Sequence, residues 1–194
     1  MRSARGFRTV LMSLVLAVVA AGQVTPHLAA QAAPAKITVS SSVLKDGQPI
    51  PKDYTADGKN VSPPITWSDL PAGTKELALI CEDPVAPTPQ PFVHWVVYKI
   101  PPTAKGLPEG MPIDDTTQMP PDLAGTIQGL SGFRRPIWRG PAPPKPGVAH
   151  QYHFIVYALD APLDVQPGLN KTQLLEAMKG HIIGQGELVA SYTR

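Results

Sequence analysis

The sequence predicts a mainly all-β protein: an antiparallel β-sandwich with one short helix in its C-terminal half and long proline-rich loops. Three observations carry this. Phe92–Ile100 and Gln151–Leu159 are nearly continuous apolar runs, the pattern of strands buried on both faces. The 24 prolines among 194 residues, about 12% and more than twice the ordinary share, cluster between such runs as loop stiffeners. Only one stretch, following Asn170, carries a full set of helix signals.

The elements follow in chain order. Arg2, Arg5 and Arg8 precede a twelve-residue apolar run, Val10–Ala21, and then small residues as far as Ala35. This is the layout of a secretory leader, and the run is too short for the roughly 20 residues of a membrane span. Residues 1–33 are therefore expected to be a cleaved signal peptide. The mature chain then starts between Gln23 and Pro34, and residues 34–194 form one domain. Lys36–Val43 reads as a strand, and Asp46-Gly47 and Asp57-Gly58 as turns. Glu76–Cys81 reads as a central strand. In Phe92–Ile100, strict alternation puts Val93, Trp95 and Val97 on one face and Phe92, His94, Val96, Tyr98 and Ile100 on the other. Pro101–Pro136 is a long irregular stretch of the kind that carries function. Gln151–Leu159 places Tyr152, Phe154, Val156 and Ala158 on one face, with His150 at its head and His153 on the opposite face. Asn170 and Gln173 form a capping box, Leu174, Leu175 and Met178 the apolar stripe, and Gly180 the stop. Glu187–Tyr192 is the last strand.

Charge and cysteine content narrow the function. The chain has 17 basic and 15 acidic residues; without the three leader arginines the balance is 14 against 15. No basic run is left to track a nucleic-acid backbone, since Arg134, Arg135 and Arg139 are too few. Cys81 is the only cysteine, so no internal disulfide forms, and at a strand end it reads as a small buried hydrophobe.

Two stretches concentrate the chemistry. Cys81-Glu82-Asp83-Pro84-Val85-Ala86-Pro87 leads into Phe92-Val93-His94-Trp95, and Arg139-Gly140-Pro141-Ala142-Pro143-Pro144 leads into His150-Gln151-Tyr152. Each puts an ionisable side chain where a strand meets a stiff loop, the place where a sheet holds polar groups at a pocket mouth. One Asp, two His, one Tyr and the backbone N–H groups of the Gly-Pro loop suit a small anionic head group. Gly140 permits close backbone approach, Gly140 and Ala142 offer N–H donors, and the prolines lock the loop. His94 and His150 donate best when protonated, whereas Tyr152 donates without a charge change. Asp83 repels an anion, so its role is to orient a histidine or to meet an ammonium group. No nucleophile with an attached base and no metal cage is evident.

In register, Asp83-Pro84-x-Ala86-Pro87, Phe92-Val93-His94-Trp95-Val96-Val97-Tyr98, Gly140-Pro141-x-Pro143-Pro144 and His150-x-Tyr152-x-Phe154-x-x-Tyr157-Ala158-Leu159 closely resemble the phosphatidylethanolamine-binding protein family. The match is to its bacterial, Raf-kinase-inhibitor-like branch and runs from about Ile37 to Arg194. The resemblance implies a β-sandwich of that family's type with an anion pocket at one end, formed by Asp83, His94, Gly140, Pro141, His150 and Tyr152. Four positions depart from the pattern: Val85 for a second Asp, Ala142 for a Cys, Gln151 for an Arg and Trp138 for a Tyr. Eukaryotic members add a C-terminal helix over the pocket; here the last strand is expected to end the chain without it.

The expected function is thus that of a periplasmic or secreted binding protein for a small anionic or phosphorylated ligand, with no chemistry on it. No catalytic residue, no metal ligand and no cofactor is assigned. The partner is the small ligand, with a protein target open; nucleic acid and a stable membrane span are not expected. Two rivals use the same residues. One is an interaction or inhibitor module whose Pro101–Pro136 loop engages a protease or kinase-like target. The other is a zinc-dependent phosphoesterase built on Asp83, His94, His150 and His153, which the opposed faces of His150 and His153 disfavour.

Overall fold

The apolar runs become the middle of a six-stranded sheet. The computed structural model describes residues 33–113, 119–145 and 147–194; the leader expected from the sequence lies, apart from Ala33, outside the described residues. The elements are β1 (Ala35–Lys36), β2 (Thr38–Ser40), β3 (Ile65–Ser68), β4 (Glu76–Asp83), β5 (Phe92–Ile100), β6 (Gly106–Leu107), β7 (Ile127–Gln128), β8 (His150–Leu159), α1 (Lys171–Met178) and β9 (Ile182–Tyr192). The large sheet runs β1-β9-β8-β4-β5-β7 and a small one runs β2-β3-β6. Pairing within both is antiparallel, except that β1 runs parallel to β9. No helix among the described residues is long and apolar enough to cross a membrane.

The large sheet is apolar on both faces because each faces a core. Ile65 and Trp67 of the small sheet pack with Leu77, Leu79, Trp95, Val97, Phe154 and Val156 between the sheets. On the other face Ala78, Ile80, Val96, Tyr98 and Leu159 meet Leu174 and Met178 of α1. The capping box forms as expected: the Gln173 N–H donates to Asn170 Oδ1 and the Asn170 N–H to Gln173 Oε1, each at 3.0 Å. Gly180 ends the helix region at φ +84°.

Three local features differ from the sequence expectation. The expected Lys36–Val43 strand is split, because the chain leaves the large sheet at Ile37 and joins the small one at Thr38. It then stops early, since Ser41 Oγ accepts the N–H groups of Val43 and Leu44 and turns the backbone. The last strand begins at Ile182 rather than Glu187. Gly184 and Gly186 argue against a strand by propensity, yet they are what lets other chain segments approach. A Cβ on Gly186 would stand 2.0 Å from the Ile37 carbonyl oxygen.

The third feature is the alternation of β5. Cys81 pairs with Trp95 and Glu82 with Val93, which leaves His94 as the extra residue of a β-bulge. A second irregularity follows near Lys99, at φ +57°. The faces are therefore Trp95, Val97 and Ile100 toward the small sheet, and Val93, Val96 and Tyr98 toward α1. A bulge makes two successive side chains share a face, and here it puts His94 beside Trp95.

Candidate functional site

Asp83, the last residue of β4, precedes a proline that has no N–H to offer. Its carboxylate fills the gap: Oδ1 accepts from the N–H groups of Val85 (2.9 Å) and Ala86 (3.1 Å). The antiparallel neighbour β8 begins with His150 at the same end of the sheet. Its Nδ1–H donates to Asp83 Oδ2 at 2.6 Å, with Asp83 3% and His150 5% exposed. His94, re-aimed by the bulge, donates from Nδ1–H to the Arg139 carbonyl at 2.6 Å. The same peptide unit is held at its other end, where the Gly140 N–H donates to Asn60 Oδ1 at 2.8 Å. Arg139 N–H in turn donates to the His94 carbonyl at 3.3 Å.

Both rings are thereby fixed with Nδ1 as donor. Neither Nε2 has a hydrogen-bond partner among the described residues, and both rings line one cavity of about 340 Å³. A neutral imidazole held in this way presents Nε2 as an acceptor; only the protonated ring donates from it. Tyr152, buried, sets its ring edge-on to His94 at 5.1 Å and lines the same cavity. Burial pushes its phenol up, so the hydroxyl stays a neutral donor. Burial also holds the His94 imidazole below its ordinary value, reinforced by His150; the Arg139 carbonyl and the Asp83 charge pull the other way without prevailing. Phe92, Phe133, Pro87, Pro143 and Pro144 form apolar walls. A wider groove of about 840 Å³ lies beside α1, lined by Ser131, Arg134, Lys171 and Glu176 rather than by histidines.

The residues expected at the site thus divide. Asp83, His94, His150 and Tyr152 come together on the cavity. Gly140 and Pro141 do not line it, and the donor role expected of the Gly140 N–H fails because Asn60 occupies that group. Gly140 is required for packing: a Cβ there would stand 2.4 Å from the Tyr54 carbonyl oxygen. Pro141 lends its carbonyl to the Ala56 N–H at 3.0 Å. Together they clamp the loop onto residues 54–60. Ala142 does line the cavity. Trp138 is core, stacked on Phe154 at 5.8 Å, and Cys81 is fully buried with its thiol pushed well up.

Sequence reasoning missed three contributors. Asn60, at φ +59°, ends an Asp-Gly-Lys-Asn turn, and a left-handed Asn is the signal that could have found it. Arg139 and Phe133 both line the cavity, with the guanidinium 4.6 Å from the ring centre. Their only signal is proximity to the Gly-Pro loop. His153 sits apart, bonded to Glu187 at 3.1 Å, and among the described residues no three His, Cys, Asp or Glu side chains are placed to hold a metal ion.

A family model described as phosphatidylethanolamine-binding protein matches residues 40–193. The chain belongs to the phosphatidylethanolamine-binding protein family. A UPF0098 protein of Methanothermobacter thermautotrophicus is 42% identical over 158 residues, covering 81% of this chain and 99% of that protein. Among solved structures of the family, Escherichia coli YbcL matches with TM-score 0.75 and 31% identity over 82% of this chain and 99% of its own. CT736 of Chlamydia trachomatis, described as a family homologue, matches with TM-score 0.72 and 37% identity over 82% and 98%. The fold expected from the four motifs is therefore the family's fold.

Proposed function

We propose that this family member is an exported binding protein for a small anionic or phosphorylated ligand, and that it performs no chemistry on it. The observation that carries the reading is the convergence of two Nδ1-anchored imidazoles and the Tyr152 hydroxyl on one cavity of about 340 Å³. Protonated at Nε2, each ring becomes a charge-assisted donor, and such bonds are about twice as strong as neutral ones. A buried Asp–His pair also makes up two parts of a hydrolase triad, but among the described residues the third part is missing. Thr88, the aliphatic hydroxyl on the cavity, donates to the Gln90 carbonyl at 2.6 Å, and the Cys81 thiol is buried and protonated.

Calorimetric titration with sulfate at pH 6 tests the reading. His94→Ala and His150→Ala are each expected to weaken binding about tenfold, the usual loss for a hydrogen bond to a charged partner. Parent-like binding in both variants would overturn the assignment, and turnover of phosphate esters by the parent protein would overturn the claim of no chemistry. Export rests on the basic start and short apolar run. Intact mass of the exported product is expected to begin between Gln23 and Pro34; a full-length product held in the membrane would contradict it.

A further inference from the structure

Of the described side chains lining the cavity, only Arg139 carries a positive charge that does not depend on pH. Burial holds the His94 imidazole below its ordinary value, so near neutral pH it brings no fixed charge; Tyr152 is a neutral donor, and Asp83 is acidic. An anion entering a site that contains Asp83 needs a compensating charge already in place, and a guanidinium keeps its charge at any working pH. Arg139 has no carboxylate within ion-pair distance among the described residues, whereas Arg194 is bound to Asp57.

The guanidinium is also held in position. The Arg139 N–H and carbonyl both bond to His94, and the next N–H bonds to Asn60. The side chain therefore leaves a fixed point of backbone and lies over the Phe133 ring. Phe133 packs edge-on to Phe92 at 4.9 Å, and Phe92 edge-on to His94 at 5.3 Å. A continuous aromatic wall thus joins the fixed cation at the mouth to the imidazole inside. Stacking of this kind lowers the entropy lost when a guanidinium binds, and lysine does not reproduce it.

Cavity size bears on what the wall is for. About 340 Å³ would hold roughly ten waters at about 30 Å³ each, far more than one oxyanion displaces. The remaining space lies against rings and prolines, which offer a flat apolar body contacts that water does not use.

We propose that Arg139 and Phe133 are the specificity-determining residues of this pocket: the guanidinium is the fixed counter-charge for a phosphomonoester head, and Phe133 with Phe92 seats an aromatic body joined to it. The inference deepens the anion-pocket reading and rests on it.

Titrating inorganic phosphate, phosphoethanolamine and phenyl phosphate at pH 6 and constant ionic strength tests it. Phenyl phosphate is expected to bind the parent at least tenfold tighter than inorganic phosphate. Arg139→Ala weakens all three about tenfold, and Arg139→Lys restores only part of that loss. Phe133→Leu removes the preference for the phenyl ester and, by taking away the ring beneath the guanidinium, weakens inorganic phosphate by a smaller factor than Arg139→Ala does. Arg139 is exposed, so a parent-like thermal midpoint confirms that its variants are folded. Parent-like binding by Arg139→Ala would overturn the counter-charge, and equal affinity of the parent for phenyl and inorganic phosphate would overturn the aromatic seat. A folded parent that binds none of the three defeats the anion-pocket reading itself, an outcome distinct from either of those.

Discussion

An Asp83→Ala protein is expected to unfold roughly 10 °C below its parent. The carboxylate accepts two backbone N–H groups and the His150 Nδ1–H, all in a site where Asp83 and His150 are almost wholly buried. Removing it strands three donors at once, and loss of one partner from a buried, charge-assisted network costs about 3 kcal/mol. In a domain of this size each kcal/mol moves the midpoint by about 2–4 °C. Asp83→Asn separates the carboxylate's structural role from its electronic one. The amide oxygen still accepts from Val85 and Ala86, so about two-thirds of the loss should be recovered. Its NH2 group, however, now faces His150 Nδ1, which must become the acceptor and shift its proton to Nε2. The Asn protein is therefore expected to be nearly as stable as the parent, with His150 in the opposite neutral tautomer. Ring nitrogen chemical shifts read the tautomer and thermal denaturation reads the stability. An Ala protein as stable as the parent would mean that Asp83 does not hold the pocket together.

Much of the fold was legible in the sequence, for reasons that are local or that apply to both faces at once. The runs in β4, β5 and β8 needed no decision about which face was inside, because both are. The helix was legible from Asn170, Gln173 and Gly180 alone, since capping and stopping are contacts within one turn. The misreadings arose where a distant segment sets the local geometry. His94 becomes a bulge because of how β4 and β5 settle their register, which no β5 pattern contains. Gly184 and Gly186 read as strand breakers until the chain around Ile37 and Pro71 is seen lying against them. The pocket shows the same division. Asp83, His94, His150 and Tyr152 sit at strand ends and were legible. Gly140 does not donate into the pocket as its motif suggests, because its N–H is taken by a residue eighty positions earlier.

Sulfate affinity is expected to rise about tenfold per pH unit as pH falls through the window in which His94 takes up a proton. In the empty protein burial holds His94 below the ordinary histidine value of about 6.5, so near neutral pH its Nε2 is a lone pair facing any incoming oxyanion. Binding requires Nε2–H, so the complex keeps the proton to a higher pH than the free protein does. By linkage, affinity is greatest below the free-state pKa and falls as pH rises toward the bound-state value, by a factor of ten per unit for each proton taken up. The upper plateau therefore begins below about pH 6.5. The empty protein responds in the opposite sense. A histidine whose folded pKa is lowered protonates first in the unfolded chain, so the stability it contributes is complete above about 6.5 and is lost as pH falls from there through the lower folded-state value. Sulfate should cancel this loss, and the rise in thermal midpoint that it produces should grow toward acid pH. Titrations between pH 5 and 8, at fixed ionic strength and in two buffers of different ionisation enthalpy, measure both the slope and the protons taken up; sulfate keeps one charge state throughout. His94→Ala should flatten the curve. A parent protein that binds sulfate with no proton uptake and no slope would show that His94 stays neutral, leaving Tyr152, Arg139 and the Ala142 N–H to hold the anion.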